Sequence, residues 1–172
     1  MTDAASFCFP PVAAPDIEIL ILGSLPGEAS LARAQYYGHP RNQFWRLIGE
    51  AVQDAELPLM EYHDRLDRLR HHKVGLWDVV ASAVRPGSLD QHMRDIISNS
   101  LTDFVSAFHN LRVIGFNGTT ASKIGQRQLP THPMNASGQA IEVLMLPSSS
   151  PANTMGYPLK AQAWRQLTAL TS

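Results

Sequence analysis

Residues 17–27 of the chain read IEILILGSLPG, a β-branched apolar run that stops in a short glycine-rich loop. Such a run is typical of a buried strand, and Gly23, Pro26 and Gly27 predict a tight turn directly after it. Loops at the carboxyl ends of strands are where open α/β sheets bind their ligands. The loop from Gly23 to Gly27 is therefore the first candidate for a functional site.

A second informative block follows at residues 36–45, which read YYGHPRNQFW. Aromatic rings alternate there with a histidine, an arginine and an asparagine. Aromatic faces beside basic and amide side chains suit a nucleobase better than a sugar or a lipid. The block therefore favours a nucleotide or a nucleic acid as the ligand.

Strands and helices alternate along the rest of the chain. Apolar runs predict strands at residues 18–22, 74–80, 112–116 and 142–146. Apolar residues at helical spacing predict helices at residues 43–52, 58–71, 89–108 and 159–170. Ser88 and Gln91 form a predicted capping box for the third of these helices. The alternation predicts an α/β fold, a three-layer α/β/α sandwich with a central, mostly parallel four-stranded sheet.

Length and composition indicate one domain of ordinary globular type. The chain has 172 residues, of which 44% are hydrophobic and 17% are charged. Residues 1–16 are interpreted as a proline-containing N-terminal arm. Residues 17–172 are interpreted as a single domain, because no internal repeat or low-complexity linker interrupts them. No run approaches about 20 apolar residues, so we expect no membrane-spanning segment.

The N-terminus and the cysteine content favour a cytoplasmic location. Residues 1–15 lack the basic start and the long apolar core of a signal peptide. Cys8 is the only cysteine, so no internal disulfide can form, which fits a reducing cytosol. A single cysteine also cannot provide the ligands of an iron–sulfur cluster.

Three motifs make the chain resemble the uracil-DNA glycosylase superfamily. The first is a strand ending in a Gly-x-x-Pro-Gly-like loop with a later Gly-His-Pro-x-Asn-x-Phe-Trp block, matched by residues 23–27 and 38–45. The second is a late strand ending in a Pro-Ser loop, matched by residues 146–150. A third stretch, residues 75–82 with 87–90, resembles the hypoxanthine-DNA glycosylases. The chain resembles this branch more than the mismatch-specific uracil branch.

The resemblance implies a DNA glycosylase that hydrolyses the N-glycosidic bond of a deaminated base, hypoxanthine foremost, and so initiates base excision repair. The implied partner is DNA with a damaged base, and the implied enzyme is a monomer that needs neither a metal nor a cofactor. It would be cytoplasmic, bacterial-type and nucleoid-associated. The alternatives are a mismatch-specific uracil or thymine glycosylase and a non-catalytic nucleotide- or nucleic-acid-binding module of the same fold.

The resemblance assigns the main catalytic role to Asn42, whose amide can both donate and accept hydrogen bonds. An asparagine at this place also suits the N-cap of the helix at residues 43–52, and the two roles can coexist. Tyr37 is the candidate stacking surface for a base that has left the duplex. We expect one of Tyr36 and Tyr37 to face the core and Tyr37 to be the outward one.

Gly23, Ser24, Leu25 and Asn117 are the expected wall of the base pocket. Most of the superfamily has an aspartate or asparagine where this chain has Leu25, and that residue positions the attacking water. The hypoxanthine branch also lacks an aspartate or asparagine at this position. Leu25 therefore argues against uracil excision by that route. For Asn117, a tight Asn-Gly turn without a ligand is the alternative.

DNA phosphates are expected to contact two segments of the chain. One contains His39 and Arg41, and the other is the Ser148, Ser149, Ser150 loop, whose hydroxyl and N–H groups can donate to phosphate. The alternative for the serines is a turn that caps the last helix. Because the net charge is −1, binding must depend on a local basic face. The candidates for that face are Arg33, His39, Arg41, Lys123 and Lys160.

Two further sets of polar residues have alternative interpretations. Asp78 and Asp90 could pair as acid and base, but each also suits a strand end or a helix start. His63, His71 and His72 have the wrong spacing for a metal site and are interpreted as solvated.

Overall fold

The structure is a computed structural model that describes residues 4–172. Its strands are β1 (Ala5–Phe7), β2 (Ile19–Gly23), β3 (Val74–Asp78), β4 (Val80–Val84), β5 (Arg94–Ser98), β6 (Val113–Asn117) and β7 (Glu142–Leu146). Its α-helices are α1 (Glu28–Arg33), α2 (Phe44–Ala51), α3 (Tyr62–His71), α4 (Leu101–Val105), α5 (Thr119–Gln126), α6 (Tyr157–Trp164) and α7 (Gln166–Ala169). Short 3-10 turns cover Leu57–Leu59 and Asp90–His92.

The central sheet has the strand order β3-β2-β6-β7, and all its neighbouring strands run parallel. The predicted four-stranded parallel sheet is confirmed. In register, Gly23 pairs with Asp78 and Asn117 pairs with Leu146. These four residues end their strands at the same edge of the sheet, which is where a parallel sheet places its ligand site.

Helices cover both faces of this sheet, because successive side chains of a strand point to opposite sides. Ile19 and Ile21 of β2 pack into a core cluster with α2 and α6, including Phe44 and Trp164. Leu20 and Leu22 pack into a second cluster with residues of α4 and α5, among them Leu101, Val105 and Ala121. The two clusters account for the three-layer arrangement predicted from the sequence.

A small antiparallel sheet with the order β1-β4-β5 was not predicted. The apolar run expected as one strand at residues 74–80 is divided at Val79 into β3 and β4. β1 lies in the segment interpreted as an N-terminal arm, and its Phe7 pairs with Ser82 of β4. Val12 of the same segment forms an isolated antiparallel bridge with Leu76.

The long helix predicted at residues 89–108 is wrong. The segment contains the 3-10 turn, strand β5 and only the short helix α4. The apolar residues that suggested a helical stripe are not buried on one face, since Ile97 is 62% exposed. Pairing with the open edge of β4 prevails there, and adjacent β-branched residues favour a strand. The capping box predicted at Ser88 is wrong as well, because its Oγ accepts a hydrogen bond from the Glu28 N–H instead.

The other predicted helices are present, but their bounds differ from the predicted ones. The helix expected at residues 43–52 is α2, and the one expected at 58–71 begins only at α3 after the 3-10 turn. The last helix, expected at 159–170, is divided into α6 and α7 at Arg165. Within residues 4–172, no helix combines the length and the apolarity that crossing a membrane requires.

Candidate active site

A cavity of about 860 Å³ opens at the carboxyl edge of the central sheet. Its size falls in the usual range of ligand sites, roughly 300–1,000 Å³. The sequence-predicted site residues that line it are Gly23, Ser24, Leu25, Tyr37, His39, Asn42, Asn117, Ser148, Ser149 and Ser150. The structure therefore brings the first and second motifs of the resemblance to one place. Arg41 is exposed on the turn between His39 and Asn42 and is not part of the cavity wall.

The loop after β2 is fixed by a buried arginine that the sequence reasoning did not single out. Arg85 donates from Nη1 to Asp90 Oδ1 at 3.0 Å and contacts the Leu25 carbonyl at 3.4 Å. Its Nη2 donates to the Pro26 carbonyl. Asp90 in turn accepts a hydrogen bond from Ser24 Oγ at 2.7 Å. Asp90, which belongs to residues 87–90 of the third motif, therefore helps to fix the loop at residues 23–27 of the first motif. The available sequence signal was a charged residue directly after the apolar run of β4.

Leu25 forms an apolar part of the cavity wall. Its side chain is 6% exposed and belongs to the same core cluster as Val79 and Val80. The side chain therefore offers neither a donor nor an acceptor to a ligand.

The two adjacent tyrosines face different surroundings. Tyr36 is buried and its hydroxyl donates to the Pro10 carbonyl at 2.8 Å. Tyr37 is half-buried, lines the cavity and stacks on Phe44 with 3.8 Å between ring centroids and an interplanar angle of 15°. Its backbone has a φ of +54°, which is unusual for a bulky residue. Phe44 thus backs a ring that the turn directs towards the cavity.

Gly23, Asp78 and the Tyr37 hydroxyl converge at the inner end of the cavity. A Cβ on residue 23 would lie 2.7 Å from Asp78 Oδ1 and 3.1 Å from Tyr37 Oη, so only glycine leaves room for both groups. Tyr37 Oη and Asp78 Oδ2 are both buried without a hydrogen-bond partner in the described part of the chain. Burial raises the pKa of the Tyr37 hydroxyl, Asp78 raises it further and Asn117 partly offsets the effect.

Asp78 itself is only 4% exposed. Burial raises the pKa of its carboxyl to about 7, the negative charge of Asp90 adds to the rise, and Arg85 opposes it. The sequence reasoning left this residue as a strand end or half of an acid–base pair. The structure places Asp90 against Arg85 and Ser24, and Asp78 at the cavity.

Asn42 lines the cavity two residues before the start of α2, and the two ends of its side-chain amide have different surroundings. Its Oδ1 accepts a hydrogen bond from the Phe44 N–H at 2.9 Å, which satisfies a donor at the start of the helix. Because Oδ1 is used in this way, Nδ2 is the end of the amide that remains for a ligand. The N-cap residue of α2 is Gln43 rather than Asn42, but the hydrogen bond from Phe44 leaves Asn42 able to act in the cavity as well.

Asn117 connects β6 to the loop after β7. Its Nδ2 donates to Ser149 Oγ at 2.9 Å, and its Oδ1 accepts from the Ser149 N–H at 2.9 Å. Ser149 is 1% exposed. Asn117 and Ser149 both line the cavity, but most of their polar side-chain groups are hydrogen-bonded to each other.

Ser148 and Ser150 are half-buried and differ from Ser149. Ser148 Oγ accepts from the Ser150 N–H at 3.2 Å, and Ser150 Oγ accepts from the Ala152 N–H at 3.2 Å. The hydroxyls therefore stabilise the loop itself, and α6 begins too far along the chain to be capped by them. Among residues 4–172, neither hydroxyl hydrogen has an assigned acceptor.

Two of the predicted basic residues, His39 and Lys160, have different surroundings. His39 lines the cavity, and its Nδ1 accepts a hydrogen bond from the Arg41 N–H at 3.1 Å. Lys160, expected as a surface cation, is buried, and its Nζ donates to Gln43 Oε1 and the Asn153 carbonyl at 2.9 Å each. Burial lowers the pKa of Lys160. This lysine supports the loop that contains Ser150 and cannot serve as an open phosphate contact.

No group of three or more histidine, cysteine, aspartate or glutamate side chains within residues 4–172 is arranged to hold a metal ion. Of the three histidines considered, His72 pairs with Asp54, with Nε2 2.8 Å from Oδ2.

Comparisons with known proteins agree with the architecture and the motifs. The chain is 38% identical over 158 residues to a hypoxanthine DNA glycosylase of Methanosarcina barkeri, covering 92% of this chain and 94% of the relative. It is 41% identical over 156 residues to a hypoxanthine DNA glycosylase of Methanosarcina acetivorans, covering 91% and 93%. Both relatives are archaeal, so they do not support the bacterial type expected from the sequence.

A solved structure is similar over nearly the whole chain. The solution NMR structure of a candidate uracil DNA glycosylase from Methanosarcina acetivorans matches with a TM-score of 0.78 and 36% identity, covering 96% of this chain and 99% of that one. The family model of the uracil DNA glycosylase superfamily matches residues 10–169. The chain belongs to the uracil DNA glycosylase superfamily.

Proposed function

We propose that the protein is a DNA glycosylase that releases hypoxanthine from deoxyinosine in DNA. The observation that carries the proposal is the cavity at the carboxyl edge of the sheet, where the stacked Tyr37 lies beside the amide of Asn42 and the apolar wall of Leu25. The identity of 38% and 41% to two proteins named hypoxanthine DNA glycosylases supports the choice of base.

In this proposal Tyr37 stacks on the base. Phe44 covers one face of the Tyr37 ring and holds it in place, so an extruded base would extend the stack on the other face. Enzymes of this class act on a nucleotide that has left the duplex, at a cost of a few kcal/mol of unstacking. A rigid aromatic surface offsets part of that cost, because one base–aromatic stack contributes about 1–3 kcal/mol.

Asn42 is the proposed catalytic residue. Cleavage of the base–sugar bond develops positive charge on the sugar and negative charge on the departing base, and water then adds to the sugar. With its Oδ1 held by Phe44, Asn42 presents a donor. We therefore assign it to stabilising the departing base or holding the oxygen of the attacking water. This hydrolysis needs water and well-placed donors.

In this proposal, residues at the mouth of the cavity bind the phosphates of the DNA strand. The hydroxyls of Ser148 and Ser150 can each donate to a phosphate oxygen, while Ser149 fastens the loop through Asn117. His39 accepts at Nδ1, so a neutral ring carries its proton on Nε2 and can donate as well. Arg41 adds a cation at the same turn. We further propose that residues 17–172 act as one domain, as a monomer, on chromosomal DNA in the cytoplasm.

The decisive experiment is a panel of end-labelled oligonucleotides that carry deoxyinosine, deoxyuridine or a G·T mismatch, followed by alkaline cleavage of abasic sites. We expect cleavage at deoxyinosine, with little or none at the other two. Strong cutting at deoxyuridine or G·T with intact deoxyinosine would replace the proposal by a mismatch-specific uracil or thymine glycosylase. Binding without cutting of any substrate would indicate a nucleic-acid-binding module.

A further inference from the structure

The buried carboxyl of Asp78 lies at the inner end of the cavity, and the proposed mechanism leaves it without a task. Asp78 is the last residue of β3 and lies against Gly23. Its Oδ2 has no hydrogen-bond partner within residues 4–172. Arg85, the cation whose charge acts on this carboxyl, makes its ion pair with Asp90 instead. An ionised carboxylate with so little compensation would be costly to bury, so the site favours the neutral acid.

The charged groups around Asp78 shift the pKa of its carboxyl in opposite directions. Asp90 faces it from the 3-10 turn and disfavours a second negative charge, whereas Arg85 from the end of β4 favours one. Tyr36 and Tyr37 contribute hydroxyls that carry no charge at neutral pH. Burial is the largest influence, and the resulting pKa of about 7 keeps much of the protein in the protonated state under neutral conditions.

Protonation decides what this carboxyl can recognise. An ionised carboxylate only accepts hydrogen bonds, whereas a carboxylic acid donates one. Adenine presents an exocyclic amino group, which is a donor, and guanine presents a carbonyl oxygen at the same position, which is an acceptor. Deamination of adenine creates that carbonyl. A donor at the inner end of the cavity therefore matches hypoxanthine, and an unpaired donor there would reject adenine.

We propose that Asp78 holds a proton and donates a hydrogen bond to the carbonyl oxygen that deamination creates on the base, and so selects the damaged purine over adenine. The inference rests on the proposed function. It also fits the chemistry of release, because the departing base takes the electron pair of the broken bond. A neutral donor stabilises that negative charge, while a carboxylate at the same place would repel it.

The test is the rate of base release under single-turnover conditions with excess enzyme, on an oligonucleotide with one deoxyinosine, from pH 5.5 to 9. For the wild type we expect a fall of about tenfold for each pH unit above about 7, since only the protonated fraction is active. Asp78→Asn keeps the size and a permanent donor, so its rate should be within about threefold of the low-pH wild-type rate and nearly independent of pH. Its fold is checked by circular dichroism and thermal unfolding.

His39 also lines the cavity, and histidines change charge in this pH range. His39→Gln is therefore the control: whatever its absolute rate, the descending limb should persist. A limb that disappears with His39→Gln and persists in Asp78→Asn would overturn the inference. So would a wild-type rate that rises with pH together with an inactive, folded Asp78→Asn, because that pattern assigns a carboxylate acting on water.

The wild-type profile decides even if Asp78→Asn does not fold, because a rate that stays constant up to pH 9 contradicts a required proton. Failure of the proposed function has a different signature. In that case the wild-type protein releases no hypoxanthine at any pH, and both proposals fall. If the wild-type enzyme is active and its rate depends on pH in the same way as that of Asp78→Asn, only the role proposed for Asp78 is contradicted.

Discussion

Asn117 and Ser149 are joined by two hydrogen bonds, one through each end of the asparagine amide, each 2.9 Å long. They lie 32 residues apart in the chain and connect the carboxyl end of β6 to the loop after β7. Because the pair is largely removed from solvent, it sets the position of the neighbouring serines before any ligand arrives. Preorganisation of this kind reduces the ordering cost of binding.

We expect Asn117→Ala to lower the free energy of unfolding by about 1–3 kcal/mol, because it leaves the N–H and hydroxyl of Ser149 buried without partners. Hydrogen exchange at residues 148–150 should accelerate, and affinity for DNA should fall. Ser149→Ala is the matched control: it removes one of the two bonds and should cost less. Equal stability of Asn117→Ala and the wild type would show that the pair does not hold the loop.

Asn42 allows its two roles to be separated by one substitution. Asn42→Asp keeps an oxygen that accepts from the Phe44 N–H but removes the Nδ2 donor. We expect its unfolding temperature to stay close to that of the wild type and its rate of base release to fall by about 100- to 1,000-fold, the usual loss when one donor to a developing charge is removed. Asn42→Ala should lose both stability and activity. Near-normal turnover in Asn42→Asp would reduce Asn42 to a helix cap.

The sequence predicts those parts of the fold that depend on local pattern. Residues 19–22 are apolar on both faces of the predicted strand, which indicates a buried strand, and β2 is buried along its whole length. The parallel sheet and the cavity at its carboxyl edge follow from the alternation of strands and helices. The motifs at residues 23–27 and 38–45 then identify part of the cavity wall, including Leu25, His39 and Asn42.

The parts that failed depend on pairing between distant segments. Met93, Ile96, Ile97 and Leu101 follow a helical spacing, yet β4 offers an open edge that pairs with residues 94–98 as β5. Arg85 is unremarkable in the sequence, and only the folded chain places its guanidinium against the carbonyls of Leu25 and Pro26. The burial of Lys160 could not be predicted either, because its partners lie on two other segments.

Tyr37 should respond differently to two substitutions. Tyr37→Phe keeps the ring that stacks on Phe44 and removes a hydroxyl that is buried without a partner in the described residues. We expect it to bind lesion DNA normally and to unfold at the same or a higher free energy, by up to about 1 kcal/mol. Tyr37→Ala should weaken binding by about 1–3 kcal/mol. Equal loss of binding in both variants would assign the interaction to the hydroxyl rather than the ring.

Affinity for DNA should decrease with salt along a shallow slope, because the cavity mouth offers few cations. Each phosphate contact contributes a slope of about −0.9 in a plot of log K against log salt. We expect Arg41→Ala to reduce the slope by roughly 1. Lys73→Ala is the control, since Lys73 precedes β3 at the opposite edge of the sheet and pairs with Glu18. Identical slopes for Arg41→Ala and the wild type would place the phosphates elsewhere.

Asp78 also predicts how stability depends on pH. The pKa of its carboxyl is about 7 in the folded protein and near 3.8 in the unfolded chain, so folding takes up a proton between these values. The contribution of this group to the free energy of unfolding therefore falls as pH rises from about 4 to about 7 and is constant above. Asp78→Asn has no such dependence. Its stability relative to the wild type should increase by about 2–3 kcal/mol between pH 5 and pH 8, measured by urea unfolding. Parallel stability curves over that range would mean that Asp78 is ionised in the folded protein throughout, and the hydrogen-bond donor proposed at the inner end of the cavity would then not exist.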